Sequence, residues 1–540
     1  MNSSSLWEKY CSFYKQDFNT QANLNEGLAL DHLDAWCRTV TAKSIAKGKK
    51  PNKIDDLPIT EYDDYPILLT FGQEIKEEEK REARAGGELL HDYYTRLFNK
   101  TSSLVAGYLP DEPVLCMKTT GTTGESKWIV HTKKFNEGYM ASSIALVLMT
   151  LSKEWGEKVL EEKPNTLNLV APVPYISGWA TRFWDEIINF IPPISYTDNV
   201  ADMGKKFYTS LKMIEKGNKI HMIGGSGALL YMACKYFSDP QYFLSMSYNA
   251  TPSMSKKFLI LLKQLSLKLG NSGKKDLREI MPLRGVLIGS TDARFYTDFF
   301  KEEFGVEPLN SYGATELGSC MFGRPDRKLG FFPNLKTNYF EFLDEKGEVR
   351  KLSEVKKGEM YELVATPFYS IFVRYRIRDI FRVSDFYDEM PVFTFEGRAQ
   401  TMMMIYDYYR LTEDLMAEVI VNAGFKASDR WAATKTIKPN EVLIILFERE
   451  WPLTEREAEK AIFNSMLSVQ PEFSSYVHDF NIKKPSEAVK VEFLERGTFT
   501  RYAMRQARKN VPLGQFKPPK IITPEKSDIL EELRECSLHD

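Results

Sequence analysis

Nine residues, Thr119 to Lys127 (TTGTTGESK), constrain this chain more than any other stretch. They hold four threonines, two glycines and a serine and close on a lysine, so they have almost nothing to bury. One apolar run, Pro113 to Met117, leads in, and another, Trp128 to Val130, leads out. A strand, a polar loop and a second strand satisfy that pattern. Glycine lets backbone amides approach a ligand, hydroxyls donate hydrogen bonds, and the lysine adds a movable positive charge. The set suits an anion, and the phosphates of a nucleotide above all. Taken alone, a plain polar hairpin loop explains it equally well. A Walker loop does not, because only Thr122 and Thr123 separate Gly121 from Gly124, and Trp128 follows the lysine.

The 540 residues exceed what one hydrophobic core usually supports, so at least two domains are expected. A formal net charge of -2, from 72 basic and 74 acidic side chains, gives no electrostatic footprint for nucleic acid. The best apolar run, Met140 to Leu151, is too short to cross a bilayer, and MNSSSLWEKY lacks the basic and apolar regions of a signal peptide. Six cysteines, at 11, 37, 116, 234, 320 and 536, stand singly with no CxxC pair, which argues against a zinc site or a disulfide framework. A cytoplasmic monomer without nucleic-acid or membrane partners is expected.

Residues 1 to about 50 read as amphipathic helix and end in a solvated AKGKKPNK stretch. Glu74 to Arg84 is an exposed, ion-paired helix face that Gly86-Gly87 stops. Tyr139 to Leu151 reads as a helix, and Leu167 to Val173 as a buried strand closed by Pro172 and Pro174. Lys219 to Ile223 is a strand running into GGSG (224–227) and an apolar helix, Ala228 to Tyr236. Pro282 to Ile288 repeats the scheme and ends at Gly289-Ser290-Thr291. Strands alternating with helices, with small polar residues at the strand exits, indicate an α/β sheet with ligands at its strand ends. From Thr337 the pattern turns β-rich, with a hairpin over 337–352 and further strands at Tyr361–Thr366 and Ile371–Arg376. Past Arg398 helices return, with one strand at Glu441 to Phe447. This places a boundary near 398 and a small α+β domain after it.

Three further stretches carry chemistry. In SYGATELG (311–318), after a strand-like Val306 to Leu309, Glu316 falls at a strand exit, where a carboxylate can hold Mg²⁺ on phosphate oxygens. In YRIRD (375–379), Asp379 suits the two hydroxyls of a ribose. In GQFKPPK (514–520), two prolines stiffen the backbone after Lys517 and present it rigidly, as charge stabilisation in phosphate chemistry requires. Singly, each has a plain alternative: a surface carboxylate, an ion-pair partner of Arg376 or Arg378, a solvated tail charge.

The ordered set TTGTTGESK, GST (289–291), YGATE, YRIRD and FEGR (395–398) resembles the adenylate-forming superfamily of acyl and aryl ligases. Two longer stretches, 338–367 with 374–398 and then 497–520, resemble the acyl acid–amido synthetases, the auxin- and jasmonate-conjugating type of plants and their microbial relatives. The resemblance implies a large N-terminal α/β adenylate-forming domain over 1–398, with β-sheets flanked by helices and a β-rich subdomain. It also implies a smaller, mobile α+β lid over 399–540. ATP and Mg²⁺ would activate a carboxylic acid as its acyl-adenylate, releasing pyrophosphate, and an amino acid's amine would then displace AMP. Thr119, Thr120, Gly121, Thr122, Thr123, Gly124 and Lys127 would embrace the β- and γ-phosphates. Gly289, Ser290 and Thr291 would line the adenine, with Tyr312 stacking on it beside Gly313. Thr315 and Glu316 would serve the α-phosphate and Mg²⁺, Asp379 with Arg398 the ribose, and Lys517 would come from the lid. Three departures stand out. Arg378 replaces the family's glycine, and its side chain either points outward or meets a phosphate. Gln400 occupies the lid hinge. Ser370-Ile371-Phe372-Val373 replaces glycine-leucine-tyrosine near the expected acyl site. Tyr175–Trp184 and Ser226–Met232 follow strands on the same side, but aromatic and small apolar stretches of this kind are more often core than pocket. Two alternatives stay open: transfer of the acyl group to coenzyme A, and a nucleotide-binding regulator without turnover.

Overall fold

A computed structural model describes residues 3–119, 126–160, 162–198, 203–225, 227–238, 276–289, 293–398, 403–405, 409–426, 429–436, 441–449, 452–508 and 520–538. The chain divides into two compact units. The first comprises Met1–Ser226, Met281–Thr291 and Val306–Phe395; the second comprises Gly227–Ile280, Asp292–Gly305 and Glu396–Asp540.

The first unit opens with helices Ser3–Cys11, Phe18–Trp36, Val40–Ile45, Pro66–Arg81 and Leu90–Thr101. The antiparallel hairpin β1 (Pro113–Lys118) and β2 (Trp128–Thr132) follows. Next come β3 (Asn165–Asn168), β4 (Asn189–Ile191), β5 (Met222–Gly225), β6 (Gly285–Ile288), β7 (Leu309–Ala314), β8 (Gly318–Arg324), β9 (Arg327–Pro333), β10 (Asn338–Leu343), β11 (Val349–Lys351), β12 (Met360–Pro367), β13 (Tyr375–Tyr387) and β14 (Met390–Arg398). These twelve form one mixed sheet in the order β11-β10-β12-β13-β14-β9-β8-β7-β6-β5-β3-β4. From β4 to β7 the pairs are parallel, and from β7 to β8 the sheet turns antiparallel. The α/β expectation therefore holds. The carboxyl ends of β3, β5, β6 and β7 share one edge, where ligands of such sheets bind.

Helix Lys133–Leu151 backs the parallel strands and begins earlier than its apolar residues suggest. Thr132 caps it, its hydroxyl accepting from the Phe135 amide at 3.3 Å. From Ser142 to Leu151 every side chain is buried. It packs so closely that a Cβ on Gly285 would stand 2.8 Å from the Thr150 carbonyl oxygen, so β6 requires glycine there.

Two expected strands take other forms. β3 stops at Asn168, because Pro172 and Pro174 offer no amide and the Val170 carbonyl accepts from the Lys206 ammonium at 2.7 Å. Ile371 to Arg374 is a buried strap, and β13 starts only at Tyr375. Its apolar side chains mimic a strand, but its backbone bonds to side chains of the N-terminal segment. Trp36 Nε1 donates to the Ile371 carbonyl (2.9 Å), Thr60 Oγ1 to that of Val373 (2.6 Å), and the Val373 amide donates to the Tyr65 hydroxyl (3.0 Å). The strap ends on Arg374, buried with φ +43, whose guanidinium grips Glu341 at 2.9 and 2.8 Å.

The second unit holds more β structure than the single strand expected. β15 (Met403–Ile405) pairs with β16 (Tyr409–Leu411), and β17 (Trp431–Lys435), β18 (Leu443–Glu448) and β19 (Val489–Leu494) form a three-stranded sheet. Helix Glu455–Val469 starts on a Thr454–Glu457 capping box. Buried Glu448 receives the Gly497 and Phe499 amides at 3.0 and 2.7 Å and so caps helix Thr498–Arg508. Among the described residues no helix is long and apolar enough to cross a membrane.

Candidate functional site

The β1–β2 hairpin closes at a narrow mouth. The Thr119 amide donates to the Lys127 carbonyl at 2.8 Å, and the Lys127 amide donates to Thr119 Oγ1 at 2.9 Å. Thr120, Gly121, Thr122, Thr123 and Gly124 lie outside the described residues. The Lys127 ammonium sits 4.3 Å from the centre of the Tyr62 ring, a cation–π seat, and the Tyr62 hydroxyl donates to the Trp128 carbonyl at 3.2 Å.

Tyr312 and Gly313 lie in β7 itself, and Thr315 and Glu316 in the turn leading to β8. A Cβ on Gly313 would stand 2.7 Å from the Gly318 carbonyl, so the tight strand exit requires glycine. Buried His131, on β2, donates from Nε2 to the Thr315 carbonyl at 2.7 Å. Because a carbonyl only accepts, the imidazole is the Nε2–H tautomer. Its ring packs on Phe135, and burial holds its pKa down to about 4. His131 thus ties the strand leaving TTGTTGESK to the YGATE turn. Glu316 is half-buried. Burial first, then the Glu316 charge, pushes the Tyr62 and Tyr375 hydroxyls above the ordinary tyrosine range.

The YRIRD stretch forms the start of β13. The Tyr312 hydroxyl donates to Asp379 Oδ2 at 2.6 Å, with both residues buried, so the antiparallel half of the sheet curls until β13 meets β7. The Tyr312 ring stands edge-on to Phe381 and stacks on Phe395, with centroids at 4.9 and 6.0 Å.

Arg378 has φ +66, the left-handed region that glycine occupies freely, which explains why this position suits glycine. For an L residue that conformation costs on the order of 1 kcal/mol or more. The side chain points to a carboxylate, its Nη2 donating to Glu61 Oε1 at 2.6 Å. The two side chains are 39% and 43% exposed, and an exposed pair of this kind returns only about 0.2 to 1 kcal/mol. Arg376 is engaged elsewhere, by a two-pronged bond to Glu362 at 2.6 and 2.8 Å. The hydrogen bond from Arg378, followed by the charges of Arg378, Arg376 and Lys127, holds the Glu61 carboxyl below the usual range.

Gly289 follows β6, and its amide donates to the Gly225 carbonyl at 3.1 Å, which joins the exits of β5 and β6. Ser290, Thr291, Gln400 and Lys517 lie outside the described residues. Arg398 ends β14, whose residues from Glu396 on belong to the second unit. There Lys520, three residues past Lys517, is pinned to β17, since the Ala433 amide donates to its carbonyl at 2.6 Å. Of the stretches expected near an acyl group, Tyr175–Trp184 is mostly helix Ile176–Trp184, whose Trp179, Ala180 and Trp184 belong to the hydrophobic core.

Thr119, Lys127, Tyr312, Thr315, Glu316 and Asp379 therefore share one unit, joined through three side chains that no motif marks: Glu61, Tyr62 and His131. Only His131 had a signal, its position four residues after the loop.

Residues 331–398 match the model of the GH3 family central domain. A probable indole-3-acetic acid-amido synthetase, GH3.7 of Oryza sativa subsp. japonica, is 26% identical over 295 residues, 46% of either chain. The match thus spans less than half the length of that curated relative. Among solved structures, the acyl acid amido synthetase AtGH3.15 superposes with a TM-score of 0.66 at 15% identity over 99% of this chain and 96% of its own. A 2-hydroxyisobutyryl-CoA ligase superposes with a TM-score of 0.54 at 12% identity over 96% and 93%. Residues 331–398 thus match the GH3 central domain, and the chain has the fold of the acyl acid amido synthetase AtGH3.15.

Proposed function

We propose that this chain is an ATP-dependent acyl acid–amido synthetase, which activates a carboxylic acid as its acyl-adenylate and passes the acyl group to the amine of an amino acid. The observation that carries this reading is the 2.6 Å hydrogen bond from Tyr312 to Asp379. It joins YGATE to YRIRD, which lies within the stretch that matches the GH3 central domain, and so supports reading the two as parts of one site.

In the first step a carboxylate oxygen attacks the α-phosphorus of ATP. A P–O bond forms, the bond to the bridging oxygen breaks, and pyrophosphate leaves with that electron pair. No proton moves, so the protein must neutralise charge and hold the reactants in line. The loop from Thr119 through Gly124 and Lys127 takes the β- and γ-phosphates, and Thr315 the α-phosphate. Gly289, Ser290, Thr291, Tyr312 and Gly313 take the base. Asp379, one oxygen fixed by Tyr312, accepts from the ribose hydroxyls, and Arg398 donates to the ribose oxygens. Lys517 steadies the charge of the reacting groups.

Glu316 fits Mg²⁺: it offers hard carboxylate oxygens beside the hydroxyls of Tyr62 and Tyr375, whose acidity its charge alters. Bound there, the ion would offset phosphate charge. His131, neutral and bonded to Thr315, positions the turn and is no base. In the second step the amine nitrogen attacks the acyl carbon, the bond to AMP breaks, and the amine's proton departs to solvent.

ATP–pyrophosphate exchange across aliphatic, aromatic and indolic acids tests the reading. Acid-dependent exchange is expected, followed by a new amide mass when amino acids are added. No exchange with any acid in folded protein refutes acyl activation, and a product formed only with coenzyme A replaces amide synthesis by thioester synthesis.

A further inference from the structure

Arg378 stands at a backbone position that favours glycine, and its exposed, single-point pair with Glu61 does not offset the conformational cost. A strained residue that stability leaves unexplained points to a ligand. Arg378 Nη2 touches Glu61 Oε1 at 2.6 Å, and Arg376 Nη1 lies 3.7 Å from the same oxygen. The neighbouring residue, Tyr62, carries the Lys127 ammonium on its ring at 4.3 Å. One short segment thus holds the loop's lysine on one residue and the supernumerary arginine on the next. Glu61 bonds to the arginine, and the lysine's charge also reaches it. The bond uses a single guanidinium nitrogen, whereas the guanidinium fork matches phosphate oxygens two at a time.

We propose that Arg378 is a second cation of the anion site headed by Lys127, and that Glu61 holds it until a polyphosphate takes its place. The ligand class is pyrophosphate, free or as the β- and γ-phosphates of a nucleoside triphosphate. Arg378 then strengthens binding of ATP and of the leaving pyrophosphate and contributes nothing to AMP. This rests on the nucleotide reading above but concerns a residue that the family pattern leaves as glycine.

Calorimetric titration of the full chain with Mg²⁺-pyrophosphate, Mg²⁺-ATP and AMP tests it. Arg378→Gly removes the guanidinium and relieves the backbone, so the variant folds at least as well as the parent. Pyrophosphate and ATP affinities are expected to fall about tenfold or more, the loss of a charged hydrogen bond, with AMP affinity unchanged. Glu61→Gln is expected to tighten pyrophosphate several-fold by removing the internal competitor. Unchanged pyrophosphate binding in Arg378→Gly, or an equal loss for AMP, overturns the inference. The two readings fail separately. Acid-dependent exchange with an Arg378-independent pyrophosphate affinity sinks this inference alone. Arg378-dependent pyrophosphate binding without exchange for any acid sinks acyl activation alone.

Discussion

Acid should destabilise this protein through two buried histidines, and the size of the effect follows from their surroundings. His131 donates Nε2–H to Thr315, and burial lowers its pKa from the ordinary 6.5 to about 4. His32 accepts the Tyr369 amide on Nδ1 at 2.9 Å, and burial lowers its pKa to about 3. Both folded values lie below the unfolded one, so between them the unfolded chain binds more protons. Stability is then complete above about pH 6.5 and falls as the pH drops toward 4. At pH 5 an ordinary histidine is almost fully charged, while each of these stays neutral. Relative to pH 7 each site forfeits about 2 kcal/mol, about 4 kcal/mol together, a large part of a typical domain's 5 to 15. Urea denaturation at pH 7 and pH 5 measures the loss in wild type and in His131→Gln and His32→Gln. Each substitution should remove about half of it. An acid loss in His131→Gln equal to that of wild type refutes the reasoning. So does a folded-state His131 Cε1 resonance that titrates near 6.5, which needs no variant.

Tyr312→Phe removes the hydroxyl that fixes Asp379 and should weaken ATP binding about tenfold, the value of a hydrogen bond to a charged group, as read by calorimetry. Unchanged ATP affinity contradicts the ribose role of Asp379. Lys517→Ala should cut ATP–pyrophosphate exchange severely while ATP affinity stays nearly intact, and equal losses in both assays exclude a role confined to the reacting groups. Glu448→Ala leaves the Gly497 and Phe499 amides without their acceptor at the start of helix Thr498–Arg508. It should destabilise the second unit by about 3 kcal/mol, seen as a lowered thermal midpoint. A change within 0.5 kcal/mol, the usual scale for surface substitutions, would show that water replaces the cap.

Elements bounded by punctuation were legible. The β1–β2 hairpin, the exits at Gly225 and Gly289 and the β10–β11 hairpin each set a short apolar or alternating run against glycine or a polar cluster. Elements whose backbone is satisfied from afar were not. Ile371 to Val373 is apolar enough for a strand, yet its hydrogen bonds come from Trp36, Thr60 and Tyr65, more than 300 residues earlier. β17 has two alanines, Ala432 and Ala433, where a strand usually carries bulkier residues, and pairing with β18 supplies what their propensity does not. In the site, the residue types of each motif were legible but their meeting was not. The Tyr312–Asp379 bond depends on how far the antiparallel half of the sheet curls. Arg378 was visible as an oddity, but its positive φ belongs to the fold.

The segment Thr60 to Tyr62 carries no motif, yet it sets the spacing of three. Thr60 runs parallel to Tyr375, its amide donating to Arg374 and its carbonyl accepting from Arg376 at 3.0 and 2.9 Å, which fixes the register of YRIRD. Glu61 takes Arg378, and Tyr62 seats Lys127 while bonding to Trp128, which fixes the exit of TTGTTGESK. Glu316, in the YGATE turn, is close enough for its charge to act on the Tyr62 hydroxyl. A displacement of these three residues would therefore shift the cations and the carboxylates of the site together. The segment from His32 to Tyr65 is accordingly a brace for the site: His32, Trp36 and Tyr65 are buried, and they bond to Tyr369, Ile371 and Val373, in and just before the strap that leads into β13.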